Sequence, residues 1–119
     1  MKLSESEWAV MEVLWSGEGF ALHEIEKALR PTLGWSKNTV HTYLTRMAGK
    51  DLVKIEKGEA RPYRAAVTRE SCARSAREEL LGKVYGGAAG DLIAAFLKET
   101  HISHEERDRL RQLLDEMEV

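Results

Sequence analysis

The segment from Trp35 to Lys50 carries the side chains best suited to recognising a partner molecule. Its apolar residues Val40, Leu44 and Met47 recur at helical spacing and predict one buried stripe. The other positions are mostly basic, amide or hydroxyl side chains, and no Asp or Glu occurs between residues 36 and 50. Such a face can neutralise phosphates and form hydrogen bonds with base edges, so we expect this helix to bind DNA.

The predicted contacts differ by side-chain type. Lys37 and Arg46 can neutralise phosphates, Asn38 can pair with adenine, and His41 can donate to guanine or to phosphate. The alternative is an ordinary solvated helix face. Ser, Thr and Asn are poor helix formers to place at exposed positions, which favours the binding interpretation. The predicted contacts on this helix are Ser36, Lys37, Asn38, Thr39, His41, Thr42, Thr45, Arg46 and Lys50.

The charge distribution supports this interpretation although the chain of 119 residues has a net charge of −2. Residues 35–64 hold seven Lys or Arg against three Asp or Glu, whereas the segments on either side are each net −3. A polyanion responds to the local sign of a surface more than to the total charge. The central block is therefore the expected nucleic-acid interface.

Two helices are predicted before this segment. Ser4 and Glu7 have the spacing of a capping box and predict a first helix that ends near Gly17. A second helix is expected over residues 21–30. Its N-terminus lacks a strong cap, and it should end at residue 30 because Pro31 prevents its continuation. The third helix should begin after Ser36 and end within residues 49–51.

A β-hairpin is predicted after the third helix. Alternating apolar residues predict one strand at Leu52, Val53 and Ile55 and a second at Tyr63, Ala65 and Val67, and residues 57–59 supply turn chemistry. Three helices followed by a hairpin predict a winged helix-turn-helix, with the third helix in the major groove and the hairpin as the wing. Tyr63 is expected in the core, and an ordinary soluble hairpin is the alternative. The predicted wing contacts are Lys57, Arg61 and Arg64.

The C-terminal segment is predicted to be helical. Thr68 should cap the first of three amphipathic helices, Gly86 and Gly87 interrupt it, and Ser103 with Glu106 forms another capping box. A segment this small buries little surface by itself, so its apolar stripes predict a two-fold symmetric homodimer. The expected dimerisation residues are Leu80, Val84, Leu92, Ile93, Phe96, Leu97, Leu110, Leu113, Leu114 and Met117.

The predicted fold class is therefore mainly α with a small β-hairpin (α+β). A winged helix-turn-helix DNA-binding domain is expected over residues 1–68, and a helical dimerisation domain over residues 69–119. No apolar run approaches the about 20 residues that span a bilayer, and the N-terminus has no apolar signal core. A cytoplasmic location without membrane insertion is the expectation.

Other chemistry has little support in the sequence. Cys72 is the single cysteine, which excludes an internal disulfide, and its place on an apolar stripe favours a packed thiol over a redox sensor. His101 and His104, with Glu105, have loose metal-ligand spacing, but their position at a helix start favours capping and surface roles. No catalytic motif is present. We expect neither enzymatic activity nor a metal or cofactor.

Five stretches in their order along the chain resemble the penicillinase-repressor (BlaI/MecI/CopY) family of bacterial repressors. They are SESEWAVMEVLW, WSKNTVHTYLTRM, RPYRAAV, KVYGG and SHEERDRLRQLL. The resemblance implies a dimeric repressor of β-lactamase or penicillin-binding-protein genes. It also implies release from DNA when a membrane-bound sensor-transducer metalloprotease cleaves the dimerisation region.

The chain departs from the family's usual pattern at several positions. The usual cleavage bond is Asn-Phe, and the matching bond here is Ala95-Phe96. The third helix opens with Lys37-Asn38 where the family often has Pro-Lys, so the operator can differ. Asp51 stands where the family has a turn glycine, and it tolerates a left-handed conformation. The copper-responsive branch uses paired cysteines and is excluded.

Two further functional interpretations remain from the sequence. The first is a protein interaction module in which the winged fold serves for docking, without specific DNA binding. The second is a small-ligand sensor with a site between the wing and the C-terminal helices, which no sequence feature specifically supports. A steep loss of DNA affinity with ionic strength would separate DNA binding from protein docking.

Overall fold

A computed structural model of the protein describes residues 2–117. Six α-helices and one antiparallel hairpin make up this part of the chain. The helices are α1 (Glu5–Trp15), α2 (Leu22–Leu29), α3 (Lys37–Gly49), α4 (Arg69–Tyr85), α5 (Ala89–Glu99) and α6 (His104–Glu116), and the strands are β1 (Val53–Ile55) and β2 (Tyr63–Ala65). The predicted class, mainly α with a small hairpin, is confirmed.

The chain divides into two compact units, one up to Glu78 and the other from Glu79 onward. The first half of α4 belongs to the N-terminal unit, where Arg69 pairs with Glu12 at 3.0 Å and Cys72 is buried. The division by contacts therefore falls inside α4, whereas the sequence predicted a functional boundary just before this helix. The assignment of DNA binding and dimerisation to separate domains stays a prediction.

The N-terminal helices begin where local capping chemistry allows. Ser4 and Glu7 form the predicted capping box of α1, with the Ser4 amide donating to the Glu7 carboxylate at 2.9 Å. Helix α1 ends at Trp15, slightly before the predicted glycine. Helix α2 has no side-chain cap from Ala21, but the Ala21 amide donates to the Glu24 carboxylate at 2.9 Å. That bond supplies the half of a capping box that alanine still permits.

One hydrophobic core holds the N-terminal unit together. Helices α1, α2 and α3 each bury the stripe that their periodicity predicts, and residues next to the hairpin complete the cluster. The buried apolar side chains are Val10, Met11, Leu14, Ile25, Leu29, Val40, Leu44, Met47, Leu52, Val53 and Tyr63. Burial of Tyr63 confirms its expected place in the core.

The hairpin is shorter than its apolar alternation suggested. Strands β1 and β2 pair antiparallel, with Val53 opposite Ala65 and Ile55 opposite Tyr63. Leu52 and Val67 lie outside the paired strands. Phe20 adds a single bridge on the other edge of β2, exchanging two backbone hydrogen bonds of 2.9 and 3.0 Å with Tyr63. This bridge ties the wing to the segment that leads into α2, as in a winged helix-turn-helix.

The C-terminal unit forms helices with the predicted breaks and caps. Helix α4 ends at Tyr85, and Gly86 and Gly87 follow with φ of 56° and 88°, a region that favours glycine. The Ser103 capping box opens α6 as predicted. None of the described side chains from residue 79 onward is buried.

Within residues 2–117, no single helix is long and apolar enough to cross a membrane. Taken together, α4 and α5 have the length and apolar composition of a membrane-spanning segment, although the pair is bent by 93°.

Candidate nucleic-acid interface

Helix α3 begins at a fixed point because Ser36 caps it. The Ser36 hydroxyl accepts from the Thr39 amide at 3.3 Å, and Trp35, just before the cap, packs against the core. On the inner side Val40, Leu44 and Met47 have no exposed surface, as predicted. The helix is therefore fixed along one side, which determines the side chains that it presents to solvent.

The outer face of α3 consists of the polar residues that the sequence singled out. Lys37, Asn38, His41, Thr42, Thr45 and Arg46 are exposed, together with the capping Ser36, while Thr39 is half-buried. No carboxylate of residues 2–117 lies within ion-pair distance of Lys37 or Arg46. Both charges are therefore available to an external anion.

Two hydroxyl groups on this face already make local hydrogen bonds. The Thr42 hydroxyl donates to the Asn38 carbonyl at 2.9 Å, and the Thr39 hydroxyl lies 3.2 Å from that of Ser36. The Thr42 oxygen keeps its acceptor capacity and its methyl group, whereas Thr39 belongs to the helix cap. The sequence pattern grouped these threonines together, and the structure distinguishes them.

Lys50 is occupied by an internal partner. Its ammonium lies 2.8 Å from the carboxylate of Glu7, and Glu7 as a whole residue is 4% exposed. Burial raises the pKa of Glu7, but hydrogen bonds from Lys50 and Ser4 and the charge of Lys50 outweigh it, so the pKa falls below its usual value. The pair ties the C-terminal end of α3 to the start of α1. The sequence suggested only a contact with DNA for Lys50.

The wing offers cations of two kinds. Lys57 at the turn and Arg64 on β2 are exposed, and no carboxylate among residues 2–117 pairs with either. Arg61 instead pairs with Glu24 at the start of α2 at 3.2 Å. The hydrogen bond from the Ala21 amide is the main cause that lowers the pKa of Glu24, and the charge of Arg61 adds to it. Arg61 therefore has an internal partner on α2, while Lys57 and Arg64 keep free charges.

An aromatic stack beside Arg46 was missed by the sequence reasoning. The rings of Trp35 and Tyr43 lie 4.2 Å apart between centroids, and the guanidinium carbon of Arg46 lies 5.0 Å from the centroid of Tyr43. The signal was available, because Tyr43 and Arg46 are three residues apart on one helix. Tyr43 was overlooked because it belongs neither to the apolar stripe nor to the basic set.

Nine of the ten predicted dimerisation residues lie on α4, α5 and α6, Met117 directly follows α6, and most of the ten are exposed. Phe96 is 58% exposed, Leu114 58% and Met117 61%, whereas Leu92 and Leu110 are half-buried. Ile102, which the sequence prediction did not include, is also exposed. The other exposed members are Leu80, Val84, Ile93, Leu97 and Leu113.

The candidate cleavage bond, the candidate metal-ligating histidines and the single cysteine can each be placed in the structure. The Ala95-Phe96 bond lies inside α5, with Ala95 half-buried. His101 and His104 are exposed, and residues 2–117 contain no group of three or more His, Cys, Asp or Glu placed to hold a metal ion. Cys72 is buried as expected for a packed thiol, and burial raises its pKa.

Comparison with known proteins identifies the family. The penicillinase repressor family model matches residues 3–116. The penicillinase repressor of Bacillus licheniformis is 28% identical over 116 residues, covering 97% of this chain and 91% of its own. The penicillinase repressor of Staphylococcus aureus is 25% identical over 118 residues, covering 98% and 94%. The methicillin resistance regulatory protein MecI of Mammaliicoccus sciuri is 24% identical over 115 residues, covering 96% and 94%.

Among solved structures, a MarR/EmrR family transcriptional regulator from Acinetobacter sp. ADP1 is 22% identical, with a TM-score of 0.45, over 97% of this chain and 78% of that one. The family model extends over nearly the whole chain, including α3, the wing and the three C-terminal helices. This protein belongs to the penicillinase repressor family.

Proposed function

We propose that the protein is a transcriptional repressor that binds an operator in double-stranded DNA through α3 and the wing. The observation that carries this proposal is the outer face of α3, where exposed basic, amide and hydroxyl groups occur without a single acid. An acid-free face of this kind suits the major groove, since both phosphates and most base edges there accept hydrogen bonds. Membership of a repressor family supports the same function.

The residues predicted to contact DNA divide into three groups under this proposal. Asn38, His41, Thr42, Thr45 and Arg46 face base edges and nearby phosphates, and Lys37 neutralises a phosphate beside the first turn. Lys57 and Arg64 neutralise phosphates under the wing because no internal carboxylate of the described chain holds them. Ser36, Thr39, Lys50 and Arg61 mainly hold α3 and the wing in place, because each has an internal partner.

The test is the affinity for the promoter region of the protein's own operon. Fluorescence anisotropy with a labelled duplex should show tighter binding than to a scrambled duplex of equal length at the same salt concentration. Affinity should also fall steeply as salt rises, because phosphate neutralisation releases counterions. Equal affinity for both duplexes would contradict the proposal, and a flat salt dependence would favour protein docking instead.

A matched pair of variants locates the interface. Arg46→Ala should weaken binding about five- to 150-fold, which corresponds to about 1–3 kcal/mol for a good base contact. Arg77→Ala removes the same charge from α4, where Arg77 pairs with the exposed Glu70 at 2.8 Å, and should leave affinity unchanged. Relaxed specificity at one base pair in the Arg46 variant would indicate a base contact. Uniform weakening with a smaller salt slope would indicate a phosphate contact.

The protein is also proposed to act as a homodimer formed by the C-terminal helices. Apolar side chains such as Phe96 and Leu114 are more than half exposed on α5 and α6. Contiguous apolar surface of this kind on a soluble protein marks an association site. A two-fold dimer would present two copies of α3 one helical turn of DNA apart, or a multiple of it, so the operator should be a pseudo-palindrome.

Phe96→Glu tests the dimer and its link to DNA binding together. The new charge should shift the sedimenting species toward the monomer, and operator affinity should fall about 10²–10⁴-fold because the second half-site is no longer linked. The control Ala94→Glu places the same side chain at an exposed position of α5 beside the apolar stripe. A wild-type protein that sediments as a monomer at micromolar concentration would contradict the dimer.

Release by proteolysis belongs to the same proposal. Cleavage of the Ala95-Phe96 bond would remove α6 and the end of α5 and so abolish the linked half-sites. This bond lies within a helix, so a protease reaches it only after local opening of α5. The expected agent is the membrane-bound sensor-transducer metalloprotease that the family resemblance implies. Co-expression with such a protease and mass measurement of the fragments would show whether this bond is cut.

A further inference from the structure

Arg46 differs from the other cations on α3 because an aromatic surface supports it. Its guanidinium carbon is 5.0 Å from the ring centroid of Tyr43, and the Tyr43 ring lies 4.2 Å from that of Trp35 with 33° between the planes. Trp35 and Tyr43 are half-buried and pack against the core, whereas Arg46 is exposed. The stack therefore runs from the fixed interior of the domain to a free positive charge.

Helical geometry shows how the stack relates to the outer face. At 3.6 residues per turn, Tyr43 lies between the buried stripe and Arg46, so the ring forms one border of the exposed face. Lys37 and His41 lie along the opposite border, and neither contacts an aromatic ring of residues 2–117. Of the two cations available on α3, only Arg46 is placed beside an aromatic ring within the described chain.

An arginine side chain in solution samples many rotamers, and fixing them on binding costs free energy. A guanidinium that rests on an aromatic face keeps its charge and its donors exposed while fewer rotamers remain accessible. The Tyr43 ring lies in turn against that of Trp35, which stands just before the Ser36 cap and packs against the core.

We propose that Tyr43, supported by Trp35, is a positioning residue that preorganises Arg46 for its contact with DNA. The inference rests on the proposed function and adds to it the residue that determines how well one contact is made. Tyr43 itself needs no contact with DNA. The proposal predicts that the energetic effect of Tyr43 on binding passes through Arg46.

The experiment measures operator affinity for Tyr43→Leu and Tyr43→Phe in the full-length chain. Tyr43→Leu removes the ring and should weaken binding about two- to ten-fold, from the usual strength of an exposed cation–π contact and the cost of ordering one arginine. Tyr43→Phe keeps the ring face and should bind within about two-fold of the wild type. The salt slope should be unchanged in both variants, because no charge is removed.

Double-mutant cycles separate positioning from a general structural role. In an Arg46→Ala background, Tyr43→Leu should cause no further loss of affinity. In a Lys37→Ala background, the full loss should persist, because Lys37 lies on the other border of the face. A loss that is equal in all backgrounds would overturn the proposal and show that Tyr43 only supports the fold. Unchanged or tighter binding by Tyr43→Leu would overturn it as well.

The outcomes also distinguish this inference from the proposed function. If the wild-type protein binds operator and scrambled duplexes equally, the proposed function fails, and the inference fails with it. If the wild type binds its operator specifically but the cycles show no coupling between positions 43 and 46, only the inference fails. Thermal unfolding of Tyr43→Leu, followed by circular dichroism, verifies that the compared variants are folded at the assay temperature.

Discussion

Removing the charge of Lys50 should destabilise the N-terminal unit much more than removing a comparable exposed charge. The change is Lys50→Met, which keeps most of the aliphatic chain and deletes the ammonium. The buried Glu7 carboxylate then loses its partner at 2.8 Å but keeps the hydrogen bond from the Ser4 amide. A buried charge left without its counterion is costly, whereas the loss of an exposed partner is not.

The magnitude follows from the exposure of the two partners. A charge-assisted hydrogen bond contributes about 1.5–3 kcal/mol, and a fully buried pair loses about 3–5 kcal/mol when one partner is removed. Glu7 is 6% exposed in its side chain, but that of Lys50 is 51% exposed, so the pair lies between the surface and the interior. We expect a loss of about 2 kcal/mol in the free energy of unfolding, or about 10 °C in Tm for a domain of this size.

Lys54→Met is the matched control. Lys54 pairs with Glu56 at 3.2 Å, and both side chains are exposed, so its loss should cost less than about 0.5 kcal/mol. Urea or thermal unfolding by circular dichroism measures both variants. All samples need the same protein concentration, because association would shift the apparent stability.

The pH dependence gives an independent measurement. The folded-state pKa of Glu7 lies below 4.5, so its stabilising contribution is complete above that value and is lost as pH falls through the folded pKa. In Lys50→Met burial is opposed only by the Ser4 hydrogen bonds, so the pKa of Glu7 should rise. The stability gap between wild type and variant should therefore be largest near neutral pH, and it should close as pH falls first through the raised pKa of the variant and then through the lowered pKa of the wild type. A loss no larger than that of the control, or a gap independent of pH, would refute this reasoning.

Three further predictions concern stability and can be measured by thermal unfolding. Asp51 has φ of 63°, so Asp51→Gly should raise stability by about 0.5 kcal/mol, and a lower Tm would count against it. A Cβ on Gly19 would lie 3.1 Å from the Arg61 carbonyl oxygen, so Gly19→Ala should cost about 1 kcal/mol. Gly49→Ala meets nothing within 4 Å and should instead gain about 0.5–1 kcal/mol; the same sign for both glycines would contradict the packing argument. Ser103→Ala removes the capping box of α6 and should cost about 1 kcal/mol of helix stability, visible as lost helicity.

Local sequence chemistry predicted much of the fold because the decisive signals act over a few residues. The Ser4 and Ser103 capping boxes and the Ser36 cap are formed by neighbouring residues, and the apolar periods of α1, α2 and α3 identify their buried faces. The ends of the helices and strands were predicted less accurately. Whether Leu52 or Val67 joins a strand depends on backbone pairing across the hairpin, which alternation alone does not determine.

The candidate interface was predictable in composition but not in the partner of each cation. Residue type and exposure mark Lys37, Arg46, Lys50 and Arg61 alike. The structure separates them by contacts distant in sequence, since Lys50 meets Glu7 and Arg61 meets Glu24. Predicting such pairs requires knowing which helices lie side by side, and the amino-acid sequence alone does not give this information.

The lack of any buried side chain among the described residues after Glu78 bears on how long a copy of the protein survives in a cell. Helices that bury no side chain of their own stay folded only while another surface covers their apolar side chains. Under the proposed dimer, that surface belongs to a second copy of the protein. The dimeric fraction then rises with protein concentration. At low concentration a larger share of the molecules is monomeric, and their helices α5 and α6 are accessible to the proteases that degrade unfolded protein. Turnover per molecule would therefore slow as the abundance of the protein rises.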